Sequence, residues 1–414
     1  MADVKIMAKV NPVFRTALGT TMLLAKGGDT LARDYIQAME QPELDCSPLV
    51  TGEEQTAIGE YSFKLLNYVL TLEYRHKMMN QLLLGSGCPN VLDLACGYTP
   101  RAVRMSRQGI NYVGGDIPIV IQTMNRIIRP YRQESRTLMA YRAVDVTNPE
   151  AMCAAADLLA GPVCIATEGL LGYLQDDEAR MLCTNIREIL QEHGGCWFTM
   201  DPYYSCLAAA VAHALDESAE EIEKASLQGG AAVSNTPNMA KLDRDPAAMQ
   251  ELLSACGLEG ESVPFYMESL ALANERFLPV EKRERFRQEA AKLQAFRITV
   301  RDDAPAEAHG REQAKESSTL VVDDGILIIR LAGRLDAISA PEILQAYESI
   351  GSGACFREIR VEAEKLTYLS STGLRVLLLI ADGSHMDRIH IRQANDTIRE
   401  FLIRNDPDRR FLLC

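Results

Sequence analysis

Apolar and polar positions first settle into a helical rhythm. Asn11–Glu40 and Glu53–Leu84 read as two helical segments that precede any good strand. An alternation then sets in. Val91–Leu94 is a short buried strand, Pro100–Gln108 a helix, Tyr112–Gly115 a second strand and Ile119–Tyr131 a second helix. Tyr141–Val146 and Val163–Thr167 follow as strands, Asp176–His193 as a long helix and Trp197–Met200 as a further strand. Strands alternating with helices predict an α/β fold with a parallel, doubly wound sheet. Ligands on such a sheet sit beyond the carboxyl ends of the strands.

Further on, Phe286, Ala290, Leu293 and Phe296 recur at helical spacing over Glu281–Phe296, and Ile298–Val300 adds a short strand. The rhythm then stops. Arg301–Ser318 is charged, rich in small residues and nearly free of large apolar side chains, so it is expected to be a linker. It divides a first module, residues 1–300, from a second, residues 319–414. In the second, Leu320–Leu331 alternates as a strand pair about an Asp323-Asp324-Gly325 turn. Ser339-Ala340-Pro341-Glu342 reads as a capping box opening a helix to Ile350. Arg357–Val361 is a strand, and Ser370–Gly373 is a polar turn feeding an apolar helix. Ile389–Arg392 and Ile398–Arg404 supply a last strand and helix. In the first module, Gln228–Asn238 is small and polar, a connecting loop with a lid over the site as the alternative.

Composition sets the class. At 414 residues the chain is too long for one ordinary core, and 47% hydrophobic with 24% charged residues is the balance of a soluble globular protein. A net charge of −14 disfavours a nucleic-acid partner, which needs a dense positive face. The opening residues lack the long apolar centre of a signal peptide. The most apolar stretches, Cys206–Leu215 and Val376–Ala381, fall short of the ~20 residues that cross a bilayer, so no membrane role and a cytoplasmic location are expected. Eleven cysteines form no C-x-x-C pair; Cys96, Cys164, Cys183 and Cys355 sit in apolar surroundings, as in a reducing compartment. The six histidines form no H-E-x-x-H and no ligand-spaced group, so no metal site is expected.

Chemistry-bearing residues gather at the predicted strand ends. VLDLACGYTPR, residues 91–101, places Asp93 in the first strand and Gly97 in the turn after it, where the backbone can approach a ligand closely. Asp116 closes the second strand in YVGGDIP, about 20 residues beyond that turn, where a carboxylate takes the paired hydroxyls of a ribose. Asp145 closes the third in YRAVDV, within reach of an adenine amino group.

These pieces resemble the leucine carboxyl methyltransferase family of S-adenosylmethionine (SAM)-dependent O-methyltransferases over roughly residues 11–280. TALGTTMLLAKGGDTLARDYIQA resembles that family's N-terminal helix, and LEYRHKMMNQLLL its arginine-bearing helix. VLDLACGYTPR is similar to its SAM loop, VGGDIP to the ribose turn and ATEGLLGYL to its Glu-Gly-Leu segment; FTMDPY corresponds to the strand beyond. The resemblance implies SAM as cofactor and a doubly wound, Rossmann-like sheet. It implies that Arg75 pairs with the methionine carboxylate, that Asp93, Ala95 and Gly97 shape the loop, and that Asp116 holds the ribose. Asp145 would take the adenine amino group, and Glu168 the amino end of SAM or the acceptor pocket. The chain departs from the family pattern at Ala95, a usual glycine, at Thr99, often aspartate, and at Gly114, often an acid; alanine fits at 95 if its φ stays negative. A carboxylate acceptor, which the resemblance suggests, is already ionised at neutral pH. A hydroxyl acceptor needs a base, for which Tyr173, Asp201, Tyr203 and Tyr204 are the candidates near the strand ends, with Glu168 beside them.

GRLDAISAPEI and LTYLSSTGLRVLL, at their separation, make residues 319–414 resemble the STAS domain of anti-sigma-factor antagonists. In that family a hydroxyl residue at the start of the helix is a phosphoswitch, and the position falls on Thr372, next to Ser371; a simple capping role for Ser370–Thr372 is the alternative. The fusion predicts a SAM-dependent O-methyltransferase acting on a small-molecule or protein acceptor. Its second module would engage a protein partner of the anti-sigma or kinase type. A non-catalytic SAM-binding regulator acting through the STAS module is the competing reading.

Overall fold

A computed structural model describes residues 6, 9–10, 14–39, 60–216, 245–265, 270–302, 317–350, 356–406 and 408–414. The expected loop at Gln228–Asn238, most of the Arg301–Ser318 linker, and Cys355 lie outside the described residues. The chain divides into two compact units, one essentially of Val13–Ala308 and one of His309–Cys414 joined by Met1–Pro12.

In the first unit, helices α1 (Phe14–Lys26), α2 (Thr30–Ala38) and α3 (Glu60–Gly85) come before the sheet. The alternation then runs β1 (Asn90–Leu94), α4 (Arg101–Arg107), β2 (Asn111–Asp116), α5 (Pro118–Ile127), α6 (Arg129–Glu134), β3 (Met139–Ala143), α7 (Pro149–Ala156), β4 (Val163–Thr167), α8 (Asp176–His193) and β5 (Gly195–Thr199). After α9 (Tyr204–Leu215) come α10 (Pro246–Ala255), β6 (Leu258–Pro264), α11 (Val280–Ala290) and β7 (Gln294–Val300). The seven strands lie in the order β3-β2-β1-β4-β5-β7-β6. β1 to β5 pair in parallel, whereas β7 runs antiparallel to both β5 and β6. This is the doubly wound, Rossmann-like sheet that the sequence predicts.

Several boundaries move for identifiable reasons. The helix expected over Ile119–Tyr131 is two, because Pro130 at the start of α6 removes a backbone donor. The helix expected over Glu281–Phe296 stops at Ala290; Phe296 and Ile298 lie in β7, where alternation buries them. β3 ends at Ala143, so Asp145 lies in the turn beyond it. One core joins Leu92, Val113, Ile165 and Trp197 to Leu182 and Ile186 of α8. A second gathers Tyr74 and Met78 of α3, Leu207 and Val211 of α9, and Phe286 of α11.

The second unit has five strands in the order β12-β11-β10-β9-β8. These are β8 (Thr319–Asp323), β9 (Ile326–Leu335), β10 (Glu358–Leu369), β11 (Ile389–Arg392) and β12 (Phe411–Leu413). The helices are α12 (Ala340–Ile350), α13 (Ser371–Gly383) and α14 (Asp396–Asn405). The turn between β8 and β9 passes through Asp324 and Gly325 at φ 46° and 73°, the paired left-handed residues of a tight hairpin. The expected capping box at α12 is not formed. The Ser339 hydroxyl donates to Arg334 O at 2.7 Å and accepts from Asp336 N–H, so it closes the turn before the helix. Ile6 and Val10, expected in the first module, are buried in the core of the second unit. Lys9 between them pairs with Glu348 of α12 at 2.7 Å, and its carbonyl accepts from Arg375 Nε of α13 at 2.9 Å. Two apolar residues four apart give this segment one apolar face, and both join the buried cluster of that unit. Among the described residues, no helix is long and apolar enough to cross a membrane.

Candidate functional site

The site is built where β1 and β4 end side by side. Beyond Leu94 the chain turns through Ala95 and Gly97 with φ of 53° and 57°. The negative φ expected at Ala95 is not found. The turn must bring Cys96 N–H back to Gly115 O, at 3.3 Å, and alanine follows it into the left-handed region at a cost of about 1–2 kcal/mol. Gly97 N–H donates to Asp116 Oδ2 at 2.8 Å, tying the end of β2 to this loop. α1 covers the same loop: a Cβ on Gly97 would stand 3.2 Å from that of Ala17. Gly114 leaves no room for an acid, since a Cβ there would fall 2.5 Å from the Tyr141 ring and 2.9 Å from Cys96 Sγ.

Arg101, which is not among the site residues the sequence points to, organises the rest. Its side chain is 1% exposed. Nε donates to Asn80 Oδ1 at 2.7 Å, Nη1 to Asp93 Oδ2 at 2.9 Å, and Nη2 to Glu168 Oε2. Tyr112 completes the Asp93 shell, its hydroxyl donating at 2.7 Å. From α3, Arg75 Nε donates to Glu168 Oε1 at 2.8 Å. Burial opposes ionisation of Glu168, but Arg101 and Arg75 outweigh it and hold its carboxyl down to about 2. His76, one residue beyond Arg75, lies with Nδ1 3.3 Å from Arg101 Nη2. Burial, then Arg101, lowers its pKa to about 3, so the ring is neutral. His76 and Asn80 are buried on α3 beside Arg75, but they stand among the polar Glu73, Lys77 and Gln81, so nothing in the local pattern sets them apart.

Arg75, Asp93 and Glu168 are thus brought together through Arg101, and Gly97 and Asp116 through their hydrogen bond. Asp145 stands apart in its turn, its Oδ1 accepting from the Thr147 amide at 2.8 Å and hydroxyl at 2.5 Å. Asp201 accepts from the N–H groups of Gly169, Leu170 and Leu171 at 2.7–2.9 Å, and so anchors the segment that carries Glu168. Burial raises its pKa in spite of those three bonds. Tyr173 is half-buried in the turn that follows. The Tyr203 hydroxyl reaches Ser262 Oγ at 3.1 Å on β6, and the side chain of Tyr204 lies outside the described residues. Elsewhere, Asp157, Glu192 and His193 bring ligand-type atoms within 4.8 Å of one another where α8 leads into β5, a meeting that sequence spacing hides.

In the second unit β9 and β10 deliver the chain to α13. Ser370 is its N-cap, accepting from Gly373 N–H at 3.1 Å, and is buried. Ser371 and Thr372 follow in the first turn, both half-buried. Gly373 is required by packing: a Cβ there would fall 2.3 Å from Leu335 O.

Residues 319–413 match the family model of the Mlab, STAS domain. The chain is similar to the structure of the anti-sigma factor antagonist SpoIIAA in its unphosphorylated form, with 21% identity, over 23% of this chain and 87% of that one, at a TM-score of 0.20. It is also similar to magnesium protoporphyrin IX methyltransferase from Synechocystis PCC 6803 with bound SAH, with 12% identity over 60% of this chain and 92% of that one, at a TM-score of 0.35. An O-methyltransferase family protein from Burkholderia thailandensis shares 14% identity over 67% of this chain and 74% of that one, at a TM-score of 0.32. No curated protein matches the chain.

Proposed function

We propose that the first module binds SAM and passes its methyl group to an oxygen acceptor, a carboxylate or a hydroxyl, while the STAS module engages a protein partner. The observation that carries this reading is the meeting of Arg75, Asp93, Arg101 and Glu168 at the carboxyl ends of β1 and β4, where the strand order turns. The donor set suits the cofactor. SAM carries a carboxylate, an ammonium, a ribose and an adenine, and it meets an arginine, acids beside it, and the half-exposed Asp116 at the end of β2. In this reading Arg75 holds the methionine carboxylate, Asp93 and Gly97 shape the loop, Glu168 takes the amino end or the acceptor pocket, Asp116 the ribose and Asp145 the adenine amino group.

Bound SAM supplies a methyl group on a positively charged sulfur. What the chain adds is alignment and exclusion of water, and α1 serves the second by covering the glycine loop. A carboxylate acceptor needs no proton removed. That choice is favoured by acids already committed: Asp201 holds three amides, and Glu168 is kept ionised by two arginines. For a hydroxyl acceptor, Tyr173, Tyr203 and Tyr204 are the candidate bases left once Asp201 is committed to its three amides. One observation favours the second reading, a slow or non-catalytic regulator with SAM as its input: Ala95 sits at φ 53° in the loop that should cradle the cofactor. Calorimetry with SAM and S-adenosylhomocysteine, then a labelled-methyl screen over carboxylic acids, separates the two. Binding lost in Asp116→Ala with turnover in wild type supports the enzyme; binding without turnover supports the regulator; no binding by wild type sinks both.

In the STAS module we assign Thr372, with Ser371 beside it, as the site of phosphorylation. A phosphate in the first turn of α13 is favoured by the helix N-terminus and would repel an acidic partner. Mass spectrometry should find the phosphate on Thr372; a phosphate that persists in Thr372→Ala moves the switch elsewhere.

A further inference from the structure

We infer that His76 donates its Nε2–H to a carboxylate oxygen of a ligand bound in the crevice between β1 and β4. Its other nitrogen fixes the tautomer. Arg101 Nη2, 3.3 Å from Nδ1, carries only hydrogens to give, so Nδ1 must be the acceptor. Glu168 Oε2, the carboxylate oxygen on the same side, lies 3.9 Å from Nδ1, beyond hydrogen-bond reach. The ring is neutral, so its single proton is on Nε2. That atom is buried and has no hydrogen-bond partner among the described residues, on a side chain 1% exposed. A buried donor left unmet is costly, which marks the position as one a ligand completes.

The surroundings select the ligand's chemistry. The nearby protein acids are engaged: Glu168 by Arg75 and Arg101, Asp93 by Arg101 and Tyr112. Three guanidiniums, Arg101, Arg104 and Arg75, act on the ring against the one carboxylate of Glu168, so an added anion is favoured over a neutral acceptor. A carboxylate oxygen is available from two sources, the methionine end of SAM and a carboxylic acid acceptor. The first rests on the SAM reading above; the second does not.

The test uses the full chain. Long-range ¹⁵N–¹H correlation resolves ring tautomers, and His76→Gln identifies the signal of His76 among the six histidines. The free protein should show Nε2 protonated; an Nδ1-protonated ring overturns the inference whether or not SAM binds. Next, S-adenosylhomocysteine, 5′-methylthioadenosine (which lacks the amino-acid end) and a panel of small carboxylic acids are titrated by calorimetry and by the same spectrum. His76→Phe should weaken one carboxylate ligand about ten- to a hundredfold, with His76→Gln recovering part of the loss. Weakening of S-adenosylhomocysteine but not of 5′-methylthioadenosine assigns the methionine carboxylate. Weakening of a carboxylic acid alone assigns the acceptor. Equal weakening of both nucleosides, or an Nε2 signal that no ligand moves, overturns the inference.

Discussion

Arg101 holds a full positive charge at 1% exposure, between Asp93 and Glu168. Such a charge is tolerable only because Asn80, Asp93, His76 and Glu168 all accept from it, and removing it leaves the buried Asp93 with no cation and Glu168 with Arg75 alone. Arg101→Ala is therefore expected to cost about 3–5 kcal/mol by urea unfolding. Arg101→Lys should recover little, since an ammonium cannot span Asn80, Asp93 and Glu168 as the planar fork does. The same cluster sets an acid limit in two stages. His76 takes a proton near 6.5 when unfolded but only near 3 when folded, and Glu168 near 4.5 unfolded and about 2 folded. Both groups favour the fold at neutral pH, and both contributions fade as pH falls. That of His76 begins to fade at 6.5, and that of Glu168 below 4.5. His76→Gln should thus flatten the stability profile between pH 6.5 and 4.5 by about 2 kcal/mol, and leave the steeper loss below it. An unchanged slope over that window would contradict the neutral buried ring. At this scale the sequence singles out Arg75, Asp93, Gly97, Asp116 and Glu168 because each lies in a recognisable stretch, and the structure groups the first two with Glu168 and Gly97 with Asp116. Arg101 and His76 are not singled out, because their roles exist only in contacts that cross from α3 to the loop after β1.

Elements were legible in proportion to how far local pattern decides them. β4 and α8 were read to the residue: one is a short apolar run, and the other is opened by Gln175 and Glu178 in a capping box and closed at Gly194. β6 was missed. It is paired on one side by β7 and buries only Leu258 well, so LEGESVP carries no alternation to read. β10 was read far too short, because its register shifts between Glu362 and Lys365 and again by Tyr368 interrupt the period. The start of α13 was read correctly as a polar turn into a helix, but the demand on Gly373 comes from β9 across the packing and leaves no local sign. Gly373→Ala should destabilise the STAS module by about 3 kcal/mol, as overpacking against backbone does. Hydrogen exchange localised to β9, β10 and α13 would locate the damage; protection unchanged there would refute the contact.

The whole molecule offers a convenient division of signals. Trp197, the chain's single tryptophan, is wholly buried in the first unit, so its fluorescence reports that unit. Replacing Ile6 and Val10 together by alanine should lower the melting seen by circular dichroism and leave the tryptophan transition where it was. The cost is expected near 2 kcal/mol, less than two fixed core truncations, because this segment has the option of detaching into water. A shift of the tryptophan transition instead would place those residues with the first unit after all.

That docking also has a consequence in time. Lys9 and Arg375 are separated by 366 residues, so the groove that receives Ile6 and Val10 does not exist until α13 has been synthesised. At 5–20 residues per second the early segment waits roughly 20–70 s with its apolar side chains unmatched. The STAS module is thus finished by residues made long before it, and a ribosome that stalls before α13 leaves both halves of that core exposed.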